Sequence, residues 1–150
     1  LVATICGFGA ALWQLSKTKS AAKATQAETK RLQGSLYSFK LANEVTRAMA
    51  ALKTARAYIR EDLWTQASDS YELVLDGLDA IKTESRDVTE VQVKEIDKAA
   101  RYIKSFSRRV EKDRIDGIQT IDASKTIAVM NDHRLLLRDL TRLIEKGAIS

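Results

Sequence analysis

The sequence predicts an all-α protein: an N-terminal membrane-associated helix followed by an antiparallel bundle of about four helices. Three features point there. The 150-residue chain has no proline and only six glycines, too little turn chemistry for a many-stranded β architecture and well suited to long helices. From residue 36 onward, large apolar side chains recur at helical spacing. Residues 1–16 (LVATICGFGAALWQLS) carry no charge and pass directly into a cationic stretch.

That cationic stretch holds Lys17, Lys19, Lys23, Lys30, Arg31 and Lys40, opposed only by Glu28. Setting these six cations and one anion against the chain's 25 and 20 leaves 19 of each sign in residues 41–150, so the net charge of +5 resides in this segment. An apolar run with a one-sided basic flank is the pattern of a membrane anchor and its juxtamembrane segment. The predicted division is an apolar, transmembrane segment at 1–16, a basic helical stalk at 17–35 and a helical bundle at 36–150. Residues 1–16 fall short of the ~20 that a spanning helix needs; because the chain opens on Leu1, the run reads as the tail of a longer transmembrane helix in contact with the lipid bilayer. Trp13 stands near its charged end, where an indole favours the headgroup region, and Lys17, Lys19, Lys23, Lys30 and Arg31 complete the flank. The lysines follow the run, unlike the charge of a secretory signal. The positive-inside tendency then puts a single-pass protein's C-terminal domain on the cytoplasmic or equivalent side. The alternative is a first helix packed into the protein's own core. Cys6, the only cysteine, permits no intrachain disulfide and reads as a small hydrophobe, with acylation as the alternative.

Residues 17–33, rich in Ala, Lys, Thr and Gln, continue a helix without anchoring a core. Gly34 and Ser35 are expected to interrupt it. Leu36, Phe39, Val45, Met49, Leu52 and Ile59 then mark the first core-forming helix, ending near Arg60. Glu61 and Asp62 open a short connection to a second helix with Leu63, Trp64, Ala67, Tyr71, Val74, Leu75, Leu78 and Ile81 on one face, giving an αα-hairpin. Residues 83–87 lack a large apolar side chain, and Asp87 or Thr89 can cap the third helix, traced by Val88, Val91, Ile96, Ala99, Ala100, Ile103, Phe106 and Val110. Gly117 ends it. The last helix is expected from about 119 to 146, with a possible kink at Asn131 and Asp132 and a stop at Gly147.

No catalytic or ligand motif stands out, and no cofactor or metal is expected. A lone histidine, His133, excludes a histidine-rich metal site, and with Arg134 and Arg138 nearby it reads as a solvated helix position. Ser124 and Lys125 lack the setting of a nucleophile, and Asp122 and Ser124 suit a helix start. Gly77 is isolated in a helix, not part of a phosphate loop. Glu90, Glu95 and Asp97 alternate with Lys94 and Lys98, as on a solvated helix with intrahelical ion pairs. Arg108 and Arg109, with Lys112 and Arg114, form a patch for an anionic partner that Glu111 and Asp113 dilute. Tyr37 and Phe39, Tyr58 and Trp64, and Tyr71 gather towards one end of the bundle; they are either packing residues or, for Tyr37, Tyr58, Trp64 and Tyr71, anchors for a partner. The charge excess is confined to the anchor side, which argues against nucleic acid.

From residue 55 to 74 the hairpin resembles one tetratricopeptide repeat. Ala55, Tyr58, Trp64, Ala67 and Tyr71 fall at that motif's small and aromatic positions, but Asp62 replaces the turn glycine. Stepping 34 residues on gives Thr89 and Gln92, which break the pattern. The resemblance implies protein binding. The segment Tyr58-Ile59-Arg60-Glu61-Asp62-Leu63-Trp64 is also similar to the first-helix region of the extrinsic Q subunit of photosystem II, which implies a lumenal four-helix bundle.

The function expected from these features is non-enzymatic: a membrane-tethered accessory or scaffold subunit docking onto proteins of a membrane complex through its bundle and basic stalk. The alternatives are a membrane-linked sensory or signalling bundle, for which residues 17–33 lack large heptad residues, and an extrinsic-type subunit of a photosynthetic membrane complex.

Overall fold

The chain forms four helices in a computed structural model that describes the backbone of residues 2–149 and the side chains of residues 13–147. They are α1 (Val2–Arg60), α2 (Trp64–Glu84), α3 (Glu90–Asp116) and α4 (Ala123–Ile149), with no strand among the described residues. Two compact units divide it, Leu1–Tyr37 and Ser38–Ser150. The expectations for Leu1 and for the side chain of Cys6 lie outside the described residues.

The first unit is a single helical segment of α1. Every described side chain from Trp13 to Leu36 is exposed. Trp13 is 64% exposed, with the Lys17 Nζ 4.7 Å from its ring centroid. The expected single-pass placement is overturned here: among the described residues, no helix is long and apolar enough to cross a membrane. The physical reason lies in the continuity of α1, because Lys17, Lys19 and Lys23 lie on the same helix as the uncharged run and lower the hydropathy of any window that includes them. The cytoplasmic orientation of a single-pass protein falls with it. Gly34 does not interrupt α1 either. A lone glycine costs about 1 kcal/mol against alanine, too little to break a helix already formed on both sides.

The second unit holds the hydrophobic core. On α1 the buried series is Leu41, Val45, Ala48, Leu52, Ala55 and Ile59, alternating steps of four and three. Leu36 and Phe39, expected in that core, are instead 68% and 72% exposed. A tight turn at residues 61–63 follows, with Leu63 N–H donating to the Tyr58 carbonyl at 2.9 Å and Asp62 at φ 56°. On α2, Ala67, Tyr71, Val74, Gly77, Leu78 and Ile81 face inward. A β-carbon on Gly77 would lie 2.7 Å from the Ala48 Cβ and 3.1 Å from the Glu44 carbonyl oxygen, so glycine lets the α1 and α2 backbones approach closely. Farther along, Lys40 Nζ meets Glu84 at 2.9 Å.

Thr89 starts α3 with a capping box: its Oγ1 accepts from Gln92 N–H at 3.3 Å, and its own N–H donates to Gln92 Oε1 at 2.9 Å. Ile96, Ala99, Ile103, Phe106 and Val110 are buried on this helix, whereas Val91 is 70% exposed, against expectation. Lys82 bonds Asp97 at 2.6 Å, an α2–α3 bridge where intrahelical pairing was expected. Gly117 closes α3 at φ 66°, the left-handed cap conformation.

Helix α4 begins later than expected, at Ala123, because Asp122 Oδ1 accepts the Lys125 N–H at 3.0 Å. It continues past Gly147 to Ile149, correcting the expected stop. Its buried residues, Thr126, Met130, His133, Leu137, Leu140 and Ile144, again alternate by four and three. Each fully buried large side chain of the core, such as Leu52 or Leu78, contributes roughly 1.5–3 kcal/mol relative to exposure.

Candidate functional site

Two features of the second unit concentrate polar and aromatic chemistry. The first lies inside the core. Tyr71, on the inward face of α2, is fully buried and meets His133 Nδ1 on α4 at 2.5 Å. Around them stand Tyr102 and Phe106 of α3, with ring centroids 6.4 and 5.5 Å from that of Tyr71, both edge-on. The His133 ring lies 5.7 Å from that of Tyr102. Three helices therefore converge on one hydrogen bond. His133 is only 8% exposed, which corrects its reading as a solvated position.

Electrostatics fix the protonation of this pair. The His133 pKa is lowered from 6.5 to about 4, chiefly by desolvation, which Asp132 opposes and Lys98 reinforces. Desolvation, aided by Tyr102, raises the Tyr71 phenol above its ordinary value. Tyr71 thus keeps its proton beside a neutral imidazole, and the bond between them carries no net charge into the core. Beside this pair, the Ser68 hydroxyl donates to that of Ser107 at 3.0 Å, a second polar contact between α2 and α3.

The second feature is a surface cleft of about 380 Å³ at the end of the unit where the α1–α2 turn and the α3–α4 loop lie. Trp64 lines it, half-buried, with Leu63, Val110, Asp113, Arg114 and Ile118. Leu63 and Ile118 are 37% and 61% exposed. Asp113 supports the loop: its carboxylate accepts the Thr120 hydroxyl at 2.6 Å and the Thr120 N–H at 2.7 Å, and its carbonyl accepts the Ile118 N–H at 3.1 Å. The Thr120 hydroxyl and then its N–H hold the Asp113 pKa below the usual carboxylate value. Arg114 is tied to Glu111, with Nη2 to Oε1 at 2.7 Å and Nε to Oε2 at 3.0 Å.

The structure separates the aromatic residues expected to act together. Trp64 lies in the cleft; Tyr71 belongs to the core; Tyr37 belongs to the first unit, its hydroxyl buried without a hydrogen-bond partner. Tyr58 is half-buried before the turn. Arg108 and Arg109 are exposed, with the Arg109 guanidinium 5.9 Å from the Tyr102 ring. Lys17, Lys19, Lys23, Lys30 and Arg31 are all exposed along α1. Ile118 and Asp113 were missed as members of a surface site. Ile118 carried a legible signal, a large apolar residue directly after a helix-ending glycine. Among the described residues, no group of three or more His, Cys, Asp or Glu side chains could hold a metal ion. No protein-family model, curated protein or solved structure matches the chain.

Proposed function

We propose that the chain is a non-enzymatic accessory or scaffold subunit that docks onto other proteins through its helical bundle, with the basic segment of α1 supplying a cationic surface to the same partner or another. The observation that carries this reading is the cleft at the turn end of the bundle. Apolar side chains of Leu63, Trp64 and Ile118 stand there beside the charged Asp113 and Arg114. A half-buried indole among exposed aliphatics with a polar rim is the composition of a docking anchor.

The helices of the second unit are read as an antiparallel up-and-down bundle. Lys40 and Ala48 of α1 meet Glu84 and Gly77 of α2, while Ser68 and Lys82 of α2 meet Ser107 and Asp97 of α3. In this arrangement the α1–α2 turn and the α3–α4 loop share one end, which builds the cleft from two connections. The tetratricopeptide-like hairpin fits the same purpose: Ala55, Ala67 and Tyr71 pack inward, and Trp64 is left at the rim.

Replacing Ile118, on the loop after Gly117, with Lys puts a charge at the cleft without opening the core. Partner proteins co-purifying with the full chain from its native cells should be depleted by Ile118→Lys and retained by Val91→Lys, an equally exposed position at the start of α3. Equal recovery with both variants would refute docking at the cleft.

A further inference from the structure

We infer that α1 pairs with α1 of a second copy of this chain, as a parallel two-stranded coiled coil along residues 15–36. Leu15, Thr18, Ala22, Thr25, Thr29, Leu32 and Leu36 recur at alternating steps of three and four, the spacing of a coiled-coil seam. All seven are exposed, with Leu15, Leu32 and Leu36 at 59%, 57% and 68%. This stripe is separate from the core-facing series, which starts at Leu41, five residues beyond Leu36 and off the three–four rhythm.

Three observations favour a second copy as the occupant. The seam's threonines are already satisfied: Thr18, Thr25 and Thr29 donate their hydroxyls to the carbonyls of Gln14, Ala21 and Thr25 at 2.8–2.9 Å. No polar side-chain hydrogen on the stripe then loses water as a partner when the face is covered. Charge is also segregated. With Leu15, Ala22, Thr29 and Leu36 at position a, the cations Lys17, Lys23, Lys30 and Arg31 fall at the outward positions b and c. In a parallel, in-register pair the flanking contacts become Gln14 with Lys19, Glu28 with Gln33 and Ser35 with Lys40, none of like charge. Finally, covering this face on both copies removes on the order of 1,000 Å² from water, the size of weak, reversible interfaces. Alanine and threonine at the centre allow close approach but little burial, so the dimer is concentration-dependent and Leu32 and Leu36 carry much of it.

The test uses the full chain with Cys6→Ala. Sedimentation over a range of concentrations should give a species of twice the chain mass that returns to monomer in Leu32→Lys/Leu36→Lys, with the helical circular dichroism of the bundle retained. Under mild oxidation, Thr18→Cys and Leu32→Cys should each cross-link to dimer, whereas Ala27→Cys, on the outer face, should not. A monomer at all concentrations, a different stoichiometry, or a dimer indifferent to the double lysine variant would overturn the proposal. So would failure of either seam position to cross-link; antiparallel pairing along the same residues would link neither. Neither readout depends on the bundle cleft, so either interaction can fail alone.

Discussion

Acidification should weaken the bundle through one residue, His133. In the folded chain its pKa is about 4, against 6.5 for an unperturbed imidazole. Between those values the unfolded chain takes up a proton that the folded chain refuses. Stability is therefore complete above pH 6.5, falls as the pH drops below it, and has lost the whole contribution near pH 4. One pKa unit corresponds to about 1.4 kcal/mol, so the shift predicts a loss on the order of 3 kcal/mol from this group, a large part of a small domain's stability. Urea unfolding of wild type and His133→Asn, followed by circular dichroism at intervals from pH 7.5 to 4, isolates the effect. Carboxylates titrate in both proteins and cancel in the difference. The wild-type curve should fall more steeply by that amount, while the asparagine variant is less stable at neutral pH. Parallel curves would refute the buried, neutral imidazole.

Further predictions concern the helix connections. Gly77→Ala should destabilise by about 1–3 kcal/mol in urea unfolding, because overpacking against Ala48 and the Glu44 carbonyl outweighs the better helix propensity of alanine. Asp62→Gly should stabilise by up to about 1 kcal/mol, as glycine adopts the positive φ of that turn without strain, with a raised thermal midpoint as the readout. Asp113→Asn should lower the urea midpoint by weakening the two Thr120 contacts, and amide exchange of residues 118–121 should quicken more than that of the α2 core.

Much of this architecture was legible because local chemistry and packing agreed. Thr89, one of two caps the sequence offered with Asp87, and Gly117 after a charged turn marked both ends of α3 where the structure places them. The left-handed conformation of Asp62 was not legible, since the sequence showed that residue only as a departure from the glycine of a tetratricopeptide-like turn. The errors have specific causes. Large residues drew attention to Leu36 and Phe39, whereas the buried phase of α1 becomes clear only when Ala48 and Ala55 count as core. His133 was judged by Arg134 and Arg138, yet Met130, His133, Leu137, Leu140 and Ile144 keep the same alternation of three and four, which places the imidazole inside. Its partner was not legible, since Tyr71 lies 62 residues away and only the packing of three helices joins them. The uncharged run at residues 1–16 resembled an anchor because the lysines after it read as a juxtamembrane flank, whereas they continue the same helix, and no helix among the described residues is long and apolar enough to cross a membrane.

The proposed docking role requires that the turn-end cleft bind protein. A photo-activatable side chain at position 118 of the full chain, irradiated in its native cells, tests it most directly, with position 91 as the exposed control. A discrete cross-linked protein is expected from 118 and absent from 91. Identical adduct patterns from the two positions, or none from 118, would contradict it.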